Sequence, residues 1–134
     1  IKFEDIEIDI HKIYKCSVLA TKKIKKEDVS RYGILGFLKK KKNVFNINKF
    51  IEKPKVSEAP SSYAIIGRYI LNKKIFKFLS KPKIGKLGEI QITDAMNDLL
   101  LSGEKFNGCI FKGKYLDCGT LDGYIRSFKE VGTK

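Results

Sequence analysis

A glutamate and a lysine stand side by side at the end of an apolar segment, Phe50-Ile-Glu-Lys-Pro-Lys55. Neighbouring side chains of a strand point to opposite faces, but a strand that ends at a proline turns, so Glu52 and Lys53 can reach one cleft. A carboxylate accepts hydrogen bonds from sugar hydroxyls, and an ammonium suits a phosphate as a point charge. The pair therefore permits sugar-phosphate binding, although a solvent-facing Glu/Lys pair without function explains it as well.

Two other segments contain residues that ligands use. Gly67 interrupts the apolar run from Ala64 to Leu71, and a glycine inside a strand marks a bulge or the close approach of a ligand. Asp117 follows an apolar stretch at a strand end, where a carboxylate can ligate magnesium, although one carboxylate does not make a metal site. A further segment, Gly88 to Ala95, is rich in helix-capping groups, and capping explains it without a functional role.

The cysteines indicate a reducing compartment and no thiol chemistry. The three cysteines (Cys16, Cys109 and Cys118) are widely spaced and include no Cys-x-x-Cys pair, so neither a disulfide framework nor a zinc site is expected. A nucleophilic role for Cys118 lacks a histidine base, because the single histidine, His11, lies in a helical pattern at the far end of the chain.

Alternating strands and helices must position these residues. The hydrophobic pattern predicts strands over residues 16–21, 32–38, 44–51 and 64–71, a turn at 39–43, a loop at 55–62, and a final hairpin of residues 106–112 with 115–117. Helices are expected over residues 3–13, after Asn72, from about Ile92 to Gly103, and after Thr120. The residues expected to face inward from the last three helices are Ile75, Phe76, Leu79, Ala95, Met96, Leu99, Leu100, Leu121, Tyr124, Ile125 and Phe128.

Composition is typical of one soluble domain with an unusual charge. The 134 residues include 28 basic and 15 acidic side chains, for a net charge of +13, and show no apolar run long enough to cross a bilayer and no signal peptide. Such a charge suggests nucleic acid or an anionic membrane as partner. Only three of the basic residues are arginine and the lysines are scattered, so we expect neither partner, and a basic polyanion-binding module remains the alternative.

Six segments in this order resemble the second half of the bacterial UTP–glucose-1-phosphate uridylyltransferases, a branch of the sugar nucleotidyltransferases. The resemblance covers about residues 12 to 130. The segments are Asp28-Val-Ser-Arg-Tyr-Gly33, Phe50-Ile-Glu-Lys-Pro-Lys55, Glu58-Ala-Pro-Ser61, Ala64-Ile-Ile-Gly-Arg-Tyr-Ile-Leu71, Gly88-Glu-Ile-Gln-Ile-Thr-Asp-Ala95, and Asp117-Cys-Gly119 with Gly123-Tyr124.

The resemblance implies an α/β fold with a mixed sheet, Rossmann-like and similar to the glycosyltransferase-A fold. Residues 1–134 would be the C-terminal, sugar-phosphate-binding part of a single nucleotidyltransferase domain. The family's Gly-rich phosphate loop and Leu-Pro-Asp segment are missing from this sequence, so the nucleotide-binding part is absent. A truncated sequence and a split or decayed gene both explain this.

The resemblance also implies a role for each motif residue. Glu52 would hold glucose hydroxyls and Lys53 the phosphate, with the backbones of Gly33 and Gly67 lining the sugar pocket. Tyr32 and Tyr69 would lie nearby. Asp117 matches a magnesium-ligand position of related enzymes, which makes Lys53 and Asp117 the expected catalytic residues.

The implied reaction is attack of glucose 1-phosphate on the α-phosphorus of UTP, which releases pyrophosphate and forms UDP-glucose with Mg²⁺ as cofactor. The full-length enzyme would be a cytoplasmic homo-oligomer, and this part alone is expected to be inactive. Besides the polyanion-binding module, a scaffold fragment that keeps only a dimerisation surface is a further alternative.

Overall fold

The structure is a computed structural model that describes residues 9, 11–12, 15–80 and 89–132. Asp9, His11 and Lys12 are helical, and the rest of the predicted first helix lies outside the described residues. The elements are β1 (Ser17–Lys23), a 3-10 helix (Lys26–Arg31), β2 (Gly33–Lys41), β3 (Val44–Glu52), β4 (Tyr63–Ile70), α1 (Ile75–Leu79), α2 (Ile92–Leu101), β5 (Phe106–Ile110) and α3 (Leu121–Gly132).

The five strands form one closed sheet in the order β1-β4-β2-β3-β5. β1 and β5 are parallel and every other pair is antiparallel, which confirms the predicted mixed sheet of an α/β fold. The contact that closes the sheet between β2 and β4 is a single pair, Ile34 with Ala64. The end of β4 that follows Ala64 therefore pairs with β1 alone among the described residues.

The main core lies between the sheet and the helices α1 and α2. Buried strand residues, including Leu35, Ile47 and Phe50, pack in one core with Met96 and Leu99 of α2, as the helical periodicity predicted. Burial of these apolar side chains is the main favourable contribution to folding. Across the described ranges, no helix is both long enough and apolar enough to cross a membrane.

The turn predicted at residues 39–43 is present but shorter than expected, because β2 continues through Lys41 and pairs that residue with Val44. Only Lys42 and Asn43 connect the strands, and Lys42 has a left-handed φ of 55°. A two-residue hairpin turn requires positive φ, which matches the twist of its strands. The consecutive lysines looked like a loop. Residues 38–41 are indeed exposed on both faces of β2, but the backbone of this part still pairs with β3.

The predicted final hairpin is wrong. β5 ends at Ile110, and residues 115–117 form no strand. β5 pairs with β1 on one side and with β3 on the other, so it has no free edge for a returning strand.

The third helix begins where predicted but presents the opposite face. Thr120 caps it, since its Oγ1 accepts a hydrogen bond of 3.1 Å from the Gly123 amide. Leu121, Tyr124, Ile125 and Phe128, expected inward, are exposed, with Phe128 at 69%. The buried residues of α3 are Gly123 and Ser127.

The reason for this orientation lies at Gly123. A Cβ on Gly123 would collide with the Asp117 carbonyl oxygen, so the face with small residues can approach the preceding loop closely and the apolar face cannot. Phe76 of α1 is likewise exposed, against expectation.

The two faces of α2 give a matched test of the core. Leu99 is 0% exposed and Leu101 is 85% exposed on the same helix. Leu99→Ala should lower the free energy of unfolding by about 2–5 kcal/mol, because it leaves a cavity in the main core. Leu101→Ala should change it by less than about 0.5 kcal/mol. Urea denaturation measures both, and equal losses would contradict this packing.

Candidate functional site

Glu52 is held between the first residue of β2 and the first turn of α2. β3 ends at Glu52, which pairs with Gly33 in the antiparallel ladder. The Thr93 hydroxyl donates a hydrogen bond of 3.2 Å to Glu52 Oε2. A Cβ on Gly33 would lie 3.0 Å from that oxygen and 3.3 Å from the side chains of Ile65 and Thr93. Glycine at this position therefore leaves room for the carboxylate.

Lys53 follows directly in a strained conformation. Its φ is +44°, in the left-handed region that residues other than glycine rarely adopt, and the buried Pro54 comes next. The Lys53 amide donates a hydrogen bond of 3.1 Å to the Tyr32 carbonyl, which holds this turn. Strain of this kind is of order 1–3 kcal/mol and is found at functional sites. The lysine side chain is exposed and forms no ion pair within the described residues.

Asp117 is hydrogen-bonded through both carboxylate oxygens. Its Oδ1 accepts from the Gly119 amide at 3.0 Å, and its Oδ2 accepts from the Tyr32 hydroxyl at 2.9 Å. The Arg31 guanidinium lies 3.4 Å from Oδ2. The hydrogen bonds from Gly119 and then Tyr32, with the nearby Arg31 charge, lower the pKa of Asp117. Burial first, and then the Asp117 carboxylate, raise the pKa of Tyr32 to about 12.

Gly67 and Tyr69 lie on β4, in the part of that strand that follows Ala64 and pairs with β1. Gly67 has a φ of +72° and nothing within 4 Å of its missing Cβ, and the pairing of β1 with β4 shifts register in this region. Of the two sequence-based explanations, the β-bulge is the one observed. Burial raises the pKa of Tyr69, and the negative charge of Glu52 and the Tyr115 side chain raise it further. Tyr69 therefore lies within electrostatic range of Glu52 and of Tyr115.

Gly33, Glu52 and Lys53 lie together at one end of the β2–β3 hairpin. Tyr32 joins the two halves of the site, because its carbonyl accepts from Lys53 and its hydroxyl donates to Asp117. A cavity of about 300 Å³ lies on the Asp117 side, lined in part by Arg31, Tyr32, Tyr115 and Arg126. Glu52 and Lys53 lie outside its lining.

Sequence reasoning missed four residues of this site. Arg31 and Tyr115 line the cavity beside Asp117, Thr93 donates to Glu52, and Asn97 is hydrogen-bonded to the backbone of β3. The capping explanation for residues 88–95 is wrong in the described part of that segment, because the cap residue Gln91 makes no side-chain cap hydrogen bond. Thr93 donates to Glu52 instead. The available signal was the resemblance itself, since Thr93 belongs to one of its motifs and Arg31 to another.

Asp117 alone does not build a magnesium site. No cluster of three or more His, Cys, Asp or Glu side chains suited to a metal occurs among the residues the structure describes. Mg²⁺ requires near-octahedral oxygen coordination, and here a guanidinium already neighbours the single carboxylate. Further oxygen ligands would have to come from outside this set, and the metal role of Asp117 stays a prediction.

The family to which this site geometry belongs follows from comparison with known protein families. The profile of the nucleotidyl transferase family matches residues 8–134, almost the whole chain. The chain belongs to the nucleotidyl transferase family. This is the family that the sequence motifs indicated.

Named relatives of this nucleotidyl transferase agree with the motif assignment. A UTP–glucose-1-phosphate uridylyltransferase of Pseudomonas aeruginosa is 40% identical over 124 residues, which are 90% of this chain and 43% of that protein. UTP–glucose-1-phosphate uridylyltransferase YngB of Bacillus subtilis is 34% identical over 93% of this chain and 42% of its own length. The chain thus spans less than half the length of these relatives.

Solved structures show the same fold. A UDP-glucose pyrophosphorylase complexed with UDP-glucose matches with a TM-score of 0.86 and 38% identity, over 93% of this chain and 47% of that one. A UTP-bound UGPase from Acinetobacter baumannii matches with a TM-score of 0.79 and 26% identity, over 94% of this chain and 43% of that one. The predicted nucleotidyltransferase fold is confirmed.

The hydrogen bond from Tyr32 to Asp117 can be tested by titration. Tyr32→Phe removes a donor to the ionised carboxylate and should raise the pKa of Asp117 toward its ordinary value. Because the folded state lowers the pKa of Asp117, its ionised carboxylate stabilises the fold at pH values above the unfolded-state pKa. This stabilisation is lost as the pH falls through the folded-state pKa. Tyr32→Phe should therefore destabilise the chain at neutral pH more than in strong acid.

Carbon-13 NMR of the Asp117 carboxyl measures the pKa directly. Tyr63→Phe is the control, since the Tyr63 hydroxyl is bonded to Lys40 and not to a carboxylate. An unchanged titration of Asp117 in Tyr32→Phe would contradict the contact.

Proposed function

We propose that this chain is the C-terminal, sugar-phosphate-binding part of a nucleotidyl transferase that forms UDP-glucose and pyrophosphate from UTP and glucose 1-phosphate. The observation that supports this most is the arrangement of Glu52. One carboxylate oxygen is held by Thr93, and the other accepts no hydrogen bond from the described residues. Among the described residues, Glu52 thus keeps one carboxylate oxygen free and the Lys53 ammonium is unpaired, which suits a sugar hydroxyl and a phosphate.

The other predicted residues take the following parts in this proposal. Glu52 binds glucose hydroxyls and Lys53 the sugar phosphate. Gly33 and Gly67 expose backbone to the sugar, and there is open space beside Gly67. Tyr32 and Tyr69 border the ligand: Tyr69 is within electrostatic range of Glu52, and Tyr32 is hydrogen-bonded to Asp117.

In the proposed reaction an oxygen of glucose 1-phosphate attacks the α-phosphorus of UTP, and pyrophosphate leaves. Lys53 neutralises phosphate charge and fixes the attacking group in line, which lowers the barrier through positioning and electrostatics. Magnesium, when bound, would neutralise further phosphate charge, and Asp117 would be one of its ligands.

Two surfaces support the proposal that a nucleotide-binding part completes the domain. The apolar residues of α3 are exposed, and most of β4 has one unpaired edge within the described residues. Such surfaces are normally covered. We infer that this chain alone does not turn over, that the complete protein is a homo-oligomer, and that it works in the cytoplasm, where three free cysteines stay reduced.

A chimera supplies the missing part. This chain replaces the matching segment of the Pseudomonas aeruginosa relative, and UDP-glucose formation is measured with UTP, Mg²⁺ and glucose 1-phosphate. We expect turnover by the chimera and none by the 134-residue chain. Robust turnover by the chain alone would refute its proposed incompleteness.

Glu52→Ala in the chimera tests the sugar role. It should lower kcat/KM for glucose 1-phosphate by about 10- to 100-fold, because a hydrogen bond to a charged group contributes roughly 1.5–3 kcal/mol. KM for UTP should change little. Glu58→Ala is the control, an exposed glutamate in the loop after Lys53 that pairs with Lys55 at 3.9 Å. Equal effects on both substrates would count against the sugar role.

One observation favours the alternative of a polyanion-binding module. A cavity of about 560 Å³ at the opposite end of the β2–β3 hairpin is lined by Lys39, Lys41, Lys42 and Lys105. Polyanion binding there should weaken steeply as salt rises. The triple variant Lys39→Gln, Lys41→Gln, Lys42→Gln should then abolish duplex DNA binding in an electrophoretic shift assay, and absence of binding by the parent chain excludes this alternative.

A further inference from the structure

Two residues of α2, one turn apart, contact β3 at positions two residues apart. Asn97 forms two hydrogen bonds with the backbone of Phe50: its Nδ2 donates to the carbonyl at 2.7 Å, and its Oδ1 accepts from the amide at 3.0 Å. Thr93 donates to Glu52 Oε2 at 3.2 Å. Residues four apart on a helix share a face, and residues two apart on a strand share a side. The helix is therefore fixed to the strand at two points, and the second point is the carboxylate.

The Thr93 hydroxyl does not stabilise its own helix in the described structure. Thr93 is 4% exposed, so its hydroxyl is removed from water and requires a partner. The residue that precedes α2 is Gln91, so Thr93 is inside the helix and does not cap it. Within the described residues its hydroxyl donates only to Glu52, which lies 41 positions away in sequence.

Gly33 sets the other limit on the carboxylate. A Cβ there would lie 3.0 Å from Glu52 Oε2 and 3.3 Å from Thr93 Cγ2. Glu52 Oε2 is therefore confined between the backbone of β2 and the Thr93 hydroxyl. Its Oε1 remains without a hydrogen bond from the described residues.

We propose that Thr93 is a positioning residue for sugar-phosphate binding, which orients the Glu52 carboxylate so that Oε1 points a free lone pair at a substrate hydroxyl. This inference rests on the proposed function of Glu52. A free glutamate side chain samples many rotamers, and a ligand that binds it must restrict them. Thr93 restricts them before the ligand arrives, and Asn97 holds the helix in the place from which Thr93 can do so.

A double-mutant cycle on glucose 1-phosphate tests this in the full chain and in the chimera described above. The variants are Thr93→Val, which keeps the shape and removes the donor, Thr93→Ser, which keeps the donor, and Glu52→Gln. Thr21→Val is the matched control: Thr21 is equally buried and donates at 3.2 Å to the Cys109 carbonyl, on a different part of the sheet. Calorimetry gives Kd for the chain, and kcat/KM is measured in the chimera.

We expect Thr93→Val to weaken glucose 1-phosphate binding about three- to tenfold, the range for one lost hydrogen bond. Thr93→Ser should stay within about twofold of the parent, and Thr21→Val should leave affinity unchanged while it lowers stability. In the Glu52→Gln background, Thr93→Val should have no further effect, because the two residues act through one contact.

The failures of the two proposals are distinguishable. If Glu52→Gln weakens binding but Thr93→Val does not, or if Thr93→Val weakens it equally in both backgrounds, the positioning role is overturned and the sugar role of Glu52 stands. If Glu52→Gln leaves both Kd and kcat/KM unchanged, the sugar role and the positioning role are overturned together.

Discussion

The antiparallel pairing of Gly33 with Glu52 fixes the rest of the site. β2 and β3 pair from their turn at Lys42 and Asn43 to this last pair, through two register shifts near Phe37. Because side chains alternate along a strand, a slip of one residue would move Glu52 to the other face and bring a side chain into the space beside its carboxylate. The register thus determines that a glycine, and no larger residue, lies against the carboxylate. It also brings Lys53 next to the Tyr32 carbonyl that accepts its amide hydrogen.

The neighbouring strands and the helix α2 support this arrangement. β5 pairs with both β1 and β3, so β3 has a neighbouring strand on its outer side and β2 pairs with β4 on the other side of the hairpin. α2 packs Met96 and Leu99 into the core and turns Thr93 and Asn97 toward the end of β3. Two surfaces lack such packing within the described residues: α3 exposes an apolar face, and most of β4 has one unpaired edge. A chain that spans less than half of its relatives is expected to leave such surfaces where the remaining part would pack.

The sequence predicted what depends on neighbouring residues. Periodicity identified β1, β3, β4 and the buried residues of α2, and the proline after Lys53 indicated the sharp turn there. It missed contacts between residues distant in sequence, such as Thr93 with Glu52, 41 positions apart, and Tyr32 with Asp117, 85 positions apart. No local pattern encodes these pairs.

The errors in the prediction have the same physical origin. Residues after β5 were expected to form a hairpin because they are apolar, but both edges of β5 are already paired. The apolar face of α3 was expected inward because amphipathic helices usually bury that face, but the small residue Gly123 is what allows α3 to approach the Asp117 loop. Which face a helix buries depends on its neighbours, and those are set by the whole chain.

The central claim is that the end of the β2–β3 hairpin next to α2 binds a sugar phosphate. Nitrogen-15 NMR of the chain titrated with glucose 1-phosphate tests it most directly. The account predicts saturable shifts of the backbone amides of Gly33, Glu52, Lys53 and Thr93, with the amides of Lys41 and Asn107 unchanged. Shifts confined to Lys41 and Asn107, beside the lysine-lined cavity, or no saturable shift at Glu52 and Lys53, would contradict it.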